Sequence, residues 1–116
     1  MPNYDSIIDK LLGKSEAGTM PWKPTYEDDR FIAALDGEVT FEIGRLEDGG
    51  FEFFMKDTDG KKIVEVTAHN RGPGHRDGEE GDRYFETMKR LFEAARITGL
   101  EVYKKLTSAE ALLDRF

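Results

Sequence analysis

Apolar residues recur along this chain in two rhythms, and the changes of rhythm mark its elements. Near the start, Ile7, Ile8, Leu11 and Leu12 lie on one stripe at helical spacing. The spacing predicts a short helix over residues 4–13, capped by Asn3 or Asp5 and released by Gly13 in a left-handed exit. Residues 14–29 read as a connector, because Pro21 and Pro24 have no amide hydrogen to give a helix and restrict the residues before them. From Arg30 the period falls to two. Arg30–Leu35 is an apolar run that ends at the tight-turn dipeptide Asp36-Gly37. In Glu38–Leu46, Val39, Phe41 and Ile43 point one way, and Glu38, Thr40 and Glu42 the other. After Asp48-Gly49-Gly50, Phe51, Phe53 and Met55 alternate against Glu52 and Lys56, with Phe54 out of step. Asp57-Thr58-Asp59-Gly60 turns the chain into Lys61–Thr67, which carries Ile63, Val64 and Val66. Turns this short join antiparallel neighbours, so residues 30–67 predict a meander of three to four strands.

Residues 68–82 hold Gly72, Pro73, Gly74, Gly78 and Gly81, the composition of a mobile loop. Asp82 then stands at the cap of a long amphipathic pattern. Phe85, Met88, Leu91, Phe92, Ala95, Gly99, Val102, Tyr103 and Leu106 step by three and four. Gly99 either bends this helix or admits a close approach to the sheet. Thr107-Ser108-Ala109-Glu110 has the order of a capping box and predicts a short last helix burying Leu112, Leu113 and Phe116. An alternating sheet needs cover on its apolar face, and the helices of residues 83–116 offer it. The expected architecture is a single α+β domain over residues 1–116: an antiparallel meander with helices packed on one face, in the order α–β–β–β–β–α–α. The other face, with Glu38, Glu42, Glu52 and Glu65, would look to solvent, with Phe54, Val64 and Val66 on or beside it.

Composition narrows the function classes. The chain has 116 residues and 38% hydrophobic content, enough for one core. No stretch reaches the roughly 18 apolar residues of a membrane span, and no basic-then-apolar leader opens the sequence, so a cytoplasmic setting without membrane contact is expected. With no cysteine, disulfides, thiolate nucleophiles and sulfur-ligated zinc are excluded. The net charge of −7 opposes direct contact with nucleic acid. The acidic excess is densest in the meander. Residues 83–116 are mildly basic with acids interleaved, as where Glu86 stands three and four residues before Lys89 and Arg90, the pattern of a solvated helix face.

Little of the sequence points to catalysis. His69 and His75 share a loop with Asp77, Glu79, Glu80 and Asp82, a nitrogen and oxygen donor set of the type zinc or nickel accepts. A glycine-rich loop does not hold ligands in place, however, and His-Glu-x-x-His spacing is absent. Counting from Asp57 as position one, a calcium loop needs oxygen ligands where Lys61 and Ala68 stand. Arg71-Gly72-Pro73-Gly74 lacks the Gly-Lys-Ser/Thr of a phosphate cradle. Ser6, Ser15 and Ser108 lie outside any Gly-x-Ser-x-Gly elbow. No catalytic residue, metal or other cofactor is expected, and the chain reads as a non-enzyme.

The most individual stretch is Met20-Pro21-Trp22-Lys23-Pro24-Thr25-Tyr26. Trp22 there either plugs the core or joins Tyr26 in an exposed recognition patch. With Phe54 on the solvent face, Trp22 and Tyr26 are the candidate residues for contact with another protein, a second copy of the chain included. The alternative is an acidic decoy in which Glu38, Glu42, Glu47, Asp48 and Glu52 imitate phosphates toward a basic partner.

The leading helix, the Trp22-Lys23-Pro24-Thr25 connector, the meander with Asp57-Thr58-Asp59-Gly60-Lys61, and the helix through Leu91-Phe92-Glu93-Ala94-Ala95-Arg96 form an outline. That outline is similar to small stand-alone proteins encoded by bacteria and phages, over nearly the whole chain. The resemblance implies a prokaryotic cytoplasmic setting and, for the decoy, a conflict between phage and host. It carries over no catalytic or binding residue.

Overall fold

The computed structural model describes residues 4–69 and 84–116. The elements run α1 (Tyr4–Glu16), β1 (Lys23–Pro24), β2 (Arg30–Leu35), β3 (Val39–Arg45), β4 (Phe51–Lys56), β5 (Lys62–Ala68) and α2 (Phe85–Leu113). The fold is α+β, with both helices on one face of a five-stranded sheet ordered β1-β2-β3-β4-β5, every pairing antiparallel. The expected three to four strands are joined by β1. Its two residues pair with Phe31 and Ile32 at the sheet edge, a position that tolerates Pro24 because the missing donor faces no further strand.

The turns follow the sequence. Asp36 and Gly37 both have positive φ (51° and 71°), matching the twist of a two-residue hairpin, and the Glu38 amide closes the turn on the Leu35 carbonyl at 2.9 Å. Asp57 accepts hydrogen bonds from the amides of Asp59 and Lys61, each at 2.9 Å, so its carboxylate organises the last hairpin.

The first helix does not stop at Gly13. It runs to Glu16, and the left-handed exit is taken by Gly18 at φ 78°. The reason lies in the extra turn: it places Ser15 where its hydroxyl accepts a 2.9 Å hydrogen bond from the Trp22 indole. Asn3, Asp82 and most of the loop expected over residues 68–82 lie outside the described residues.

Alternation sorts the sheet into two faces. Phe31, Ala33, Phe41, Ile43, Phe51 and Phe53 enter the core with Ile8, Leu11 and Leu12 of α1 and Met88, Leu91, Phe92 and Ala95 of α2. Val64 and Val66 belong to this inner face, not to the solvent face expected for them. Met55 pairs with Val64 while Lys56 pairs with Lys62, so Ile63 is an extra residue bulged out of register and half-exposed. The bulge turns the two valines inward. Phe92 packs edge-on against Phe31 at 5.7 Å and tilted against Phe51 at 5.3 Å between centroids. Gly99 makes the close approach: a Cβ there would stand 2.6 Å from the Phe31 ring.

The two expected C-terminal helices are one. Thr107 does not cap a new helix; its hydroxyl donates back to the Tyr103 carbonyl at 3.0 Å, and α2 continues to Leu113. Leu112, Leu113 and Phe116, expected in the core, are exposed.

Candidate interaction surface

Two surfaces result. The first is the outer face of the sheet, where Arg30 is the central residue. It pairs across the ladder with Gly44, which pairs in turn with Glu52. Because Gly44 has no side chain, the guanidinium lies flat over it; a Cβ would meet it at 2.8 Å. Stretched across the sheet, Arg30 meets Glu27 at 2.7 Å, Glu42 at 2.5 Å and Glu52. Partial burial works against the Arg30 charge, but the bonds to Glu52 and Glu42 outweigh it and hold the guanidinium above its ordinary pKa. Lys56 reaches the second oxygen of Glu42 at 3.1 Å. Phe54, the out-of-step aromatic, is buried on this face with the Lys62 ammonium 4.0 Å from its ring centroid.

The candidate residues are therefore divided. Trp22 is fully buried at the opposite face, so it contributes no contact surface. Tyr26 is 97% exposed and shares with Phe54 the wall of a shallow hollow of about 440 Å³ above the Arg30 network. The five acids form no single patch. Glu38 is exposed beside the β2–β3 turn, Glu47 and Asp48 lie at the other end of β3, and Glu42 and Glu52 are taken up by Arg30. Asp48 has its own partners: His69 Nδ1 lies 2.7 Å from one oxygen, and the Gly50 amide donates to the other at 2.7 Å. These bonds, His69 first, hold its carboxyl below the usual carboxylate range.

The second surface is the far end of α2. Met88, Phe92, Ala95 and Gly99 face the core, and the same alternation of three and four steps continues through Val102, Leu106, Ala109 and Leu113. Past Gly99 the cover thins: Val102 is half-buried, and from Leu106 on the stripe is exposed. Leu106 is 61% and Leu113 72% exposed, flanked by exposed Leu100, Tyr103 and Leu112. The helix is about 43 Å long at 1.5 Å per residue, and its projection draws the molecule out to 58 Å. Where it leaves the sheet, Phe31, Pro24, Leu100 and Tyr103 line a hollow of about 550 Å³ with Asp28, Asp29 and Arg96 beside them.

Among the described residues no group of three or more His, Cys, Asp or Glu is placed to hold a metal ion, and no helix is long and apolar enough to cross a membrane. His75 and the acids after it lie outside the described residues. Comparison with protein-family models, curated proteins and solved structures finds no match.

The projecting end and the role of Arg30 were not anticipated from the sequence. The helix end had a readable signal, an unbroken run of apolar steps across Thr107 and Ser108. Arg30 had none, because its three carboxylates come together only once the strands are in register.

Proposed function

We propose that this protein is a non-enzymatic interaction module that pairs with a second copy of itself through the projecting end of α2. The observation that carries the reading is the apolar stripe of Val102, Leu106, Ala109 and Leu113, continuous with the core-facing stripe and exposed from Leu106 on. A helical end of this length is marginal in water on its own and gains most of its stability from packing. Burying the stripe and its flanking side chains on two copies removes apolar surface from water, where a specific protein pair needs about 1,000 Å² or more. An identical helix offers matching apolar steps at the same spacing. The acidic-decoy reading draws less support, since Glu42 and Glu52 are already engaged by Arg30, and Glu42 by Lys56 as well.

Light scattering after size exclusion, over a concentration series, tests the proposal. Twice the chain mass of 13.2 kDa is expected, with Leu106→Glu or Leu113→Glu returning the protein to one chain mass. A single chain mass for the unaltered protein at every concentration overturns it.

A further inference from the structure

We infer that the two copies pair antiparallel, with the end of each α2 seated in the hollow where the other α2 leaves its sheet. The inference rests on the self-pairing proposed above and adds its direction and a second contact. Direction follows from where the sheet lies. Up to Gly99 the apolar stripe of α2 is covered by its own sheet, with Phe31 packed against Gly99 itself. A parallel partner laid on the stripe beyond Gly99 would continue, toward its own start, into the space that sheet occupies. An antiparallel partner avoids the conflict, because the body it belongs to lies past the far end of the first helix.

Setting the exposed stripes against each other in this direction brings Leu106 level with Ala109 of the other copy and Val102 level with Leu113. Large side chains then meet small ones in the middle of the contact, as packed helices require. The same register carries the residues just past α2, Arg115 and Phe116, to the level of Gly99. There the hollow of about 550 Å³ has apolar walls in Phe31, Leu100 and Tyr103, and its three acids, Glu27, Asp28 and Asp29, outnumber the two bases Arg30 and Arg96. An aromatic ring followed against such walls by a guanidinium beside carboxylates is complementary in both polarity and charge.

The chain contains no cysteine, so introduced thiols report without background. In the double variant Val102→Cys/Leu113→Cys, oxidised and mapped by peptide mass spectrometry, disulfides between position 102 of one copy and 113 of the other are expected. Links of 102 to 102 and 113 to 113 would overturn the antiparallel arrangement while leaving self-pairing intact. Absence of any dimer in light scattering would instead remove the proposal on which it rests. For the hollow, Arg115→Glu is expected to weaken the dimer about tenfold, and Asp28→Lys/Asp29→Lys combined with Arg115→Glu to restore much of that loss. Unchanged dimer dissociation in Arg115→Glu, or no recovery in the combined variant, would overturn the seating in the hollow.

Discussion

The two halves of α2 repeat one pattern in opposite surroundings. Between Phe85 and Gly99 the apolar steps close onto the sheet, and Met88, Leu91, Phe92 and Ala95 lose all contact with solvent. Between Leu106 and Leu113 steps of the same spacing stand in water. The difference teaches that periodicity specifies which side of a helix is apolar and says nothing of what will cover it. Coverage is decided by how far the sheet extends: Phe31 still packs against Gly99, and beyond half-buried Val102 nothing closes over the stripe.

The contrast can be broken most forcefully in the first half. Phe92→Ala removes a ring held between Phe31 and Phe51 and is expected to destabilise the fold by about 3–5 kcal/mol in a urea titration. Leu106→Ala, about four turns further along the same stripe, should change the stability of a monomer by no more than about 0.5 kcal/mol. Equal losses from the two substitutions under monomeric conditions would abolish the distinction between the halves. At the boundary, Gly99→Ala drives a methyl group into the buried Phe31 ring, and a loss of about 1–3 kcal/mol is expected. A neutral result would show that the helix is free to lift from the sheet at that point.

Smaller effects belong to the outer face. Arg30→Ala leaves Glu52 without its guanidinium partner and Glu42 with Lys56 alone, an expected loss of about 2 kcal/mol by thermal or chemical unfolding. The smallest effect concerns Asp48. A carboxyl whose pKa is lowered by folding supports the folded state above its unfolded pKa, and that support is lost as pH falls through the folded value. His69→Ala removes the principal cause, so the Asp48 titration followed by carboxyl-carbon NMR should move up toward the usual range. A midpoint unmoved by the substitution would show that His69 does not act on it.

Much of this architecture was legible in the residues. Alternation and turn dipeptides located β2, β3 and β4 because each strand has one apolar face and each hairpin has a residue suited to positive φ. The failures have local causes. Gly13 looked like a helix end because nothing nearby in sequence reveals that Trp22 needs Ser15. Thr107-Ser108 looked like a helix start because a hydroxyl that caps and one that bonds backward have the same spelling. Val64 and Val66 were misplaced by one residue, the bulged Ile63, and a shift of one exchanges the faces of a strand. The candidate site was less legible still. Tyr26 and Phe54 share a hollow on the outer face while Trp22 is buried on the other, and the surface that does project a broad apolar stripe was expected to be core.

The bond from Trp22 to Ser15 has a practical consequence. The chain has a single tryptophan, and it is sealed within the domain, outside the lining of the hollow where α2 leaves the sheet. Its fluorescence should thus shift to longer wavelength when the domain melts and stay constant while copies assemble or separate. One intrinsic optical signal reports loss of the fold, and scattering reports assembly, so the two equilibria can be followed side by side in one cuvette without a label.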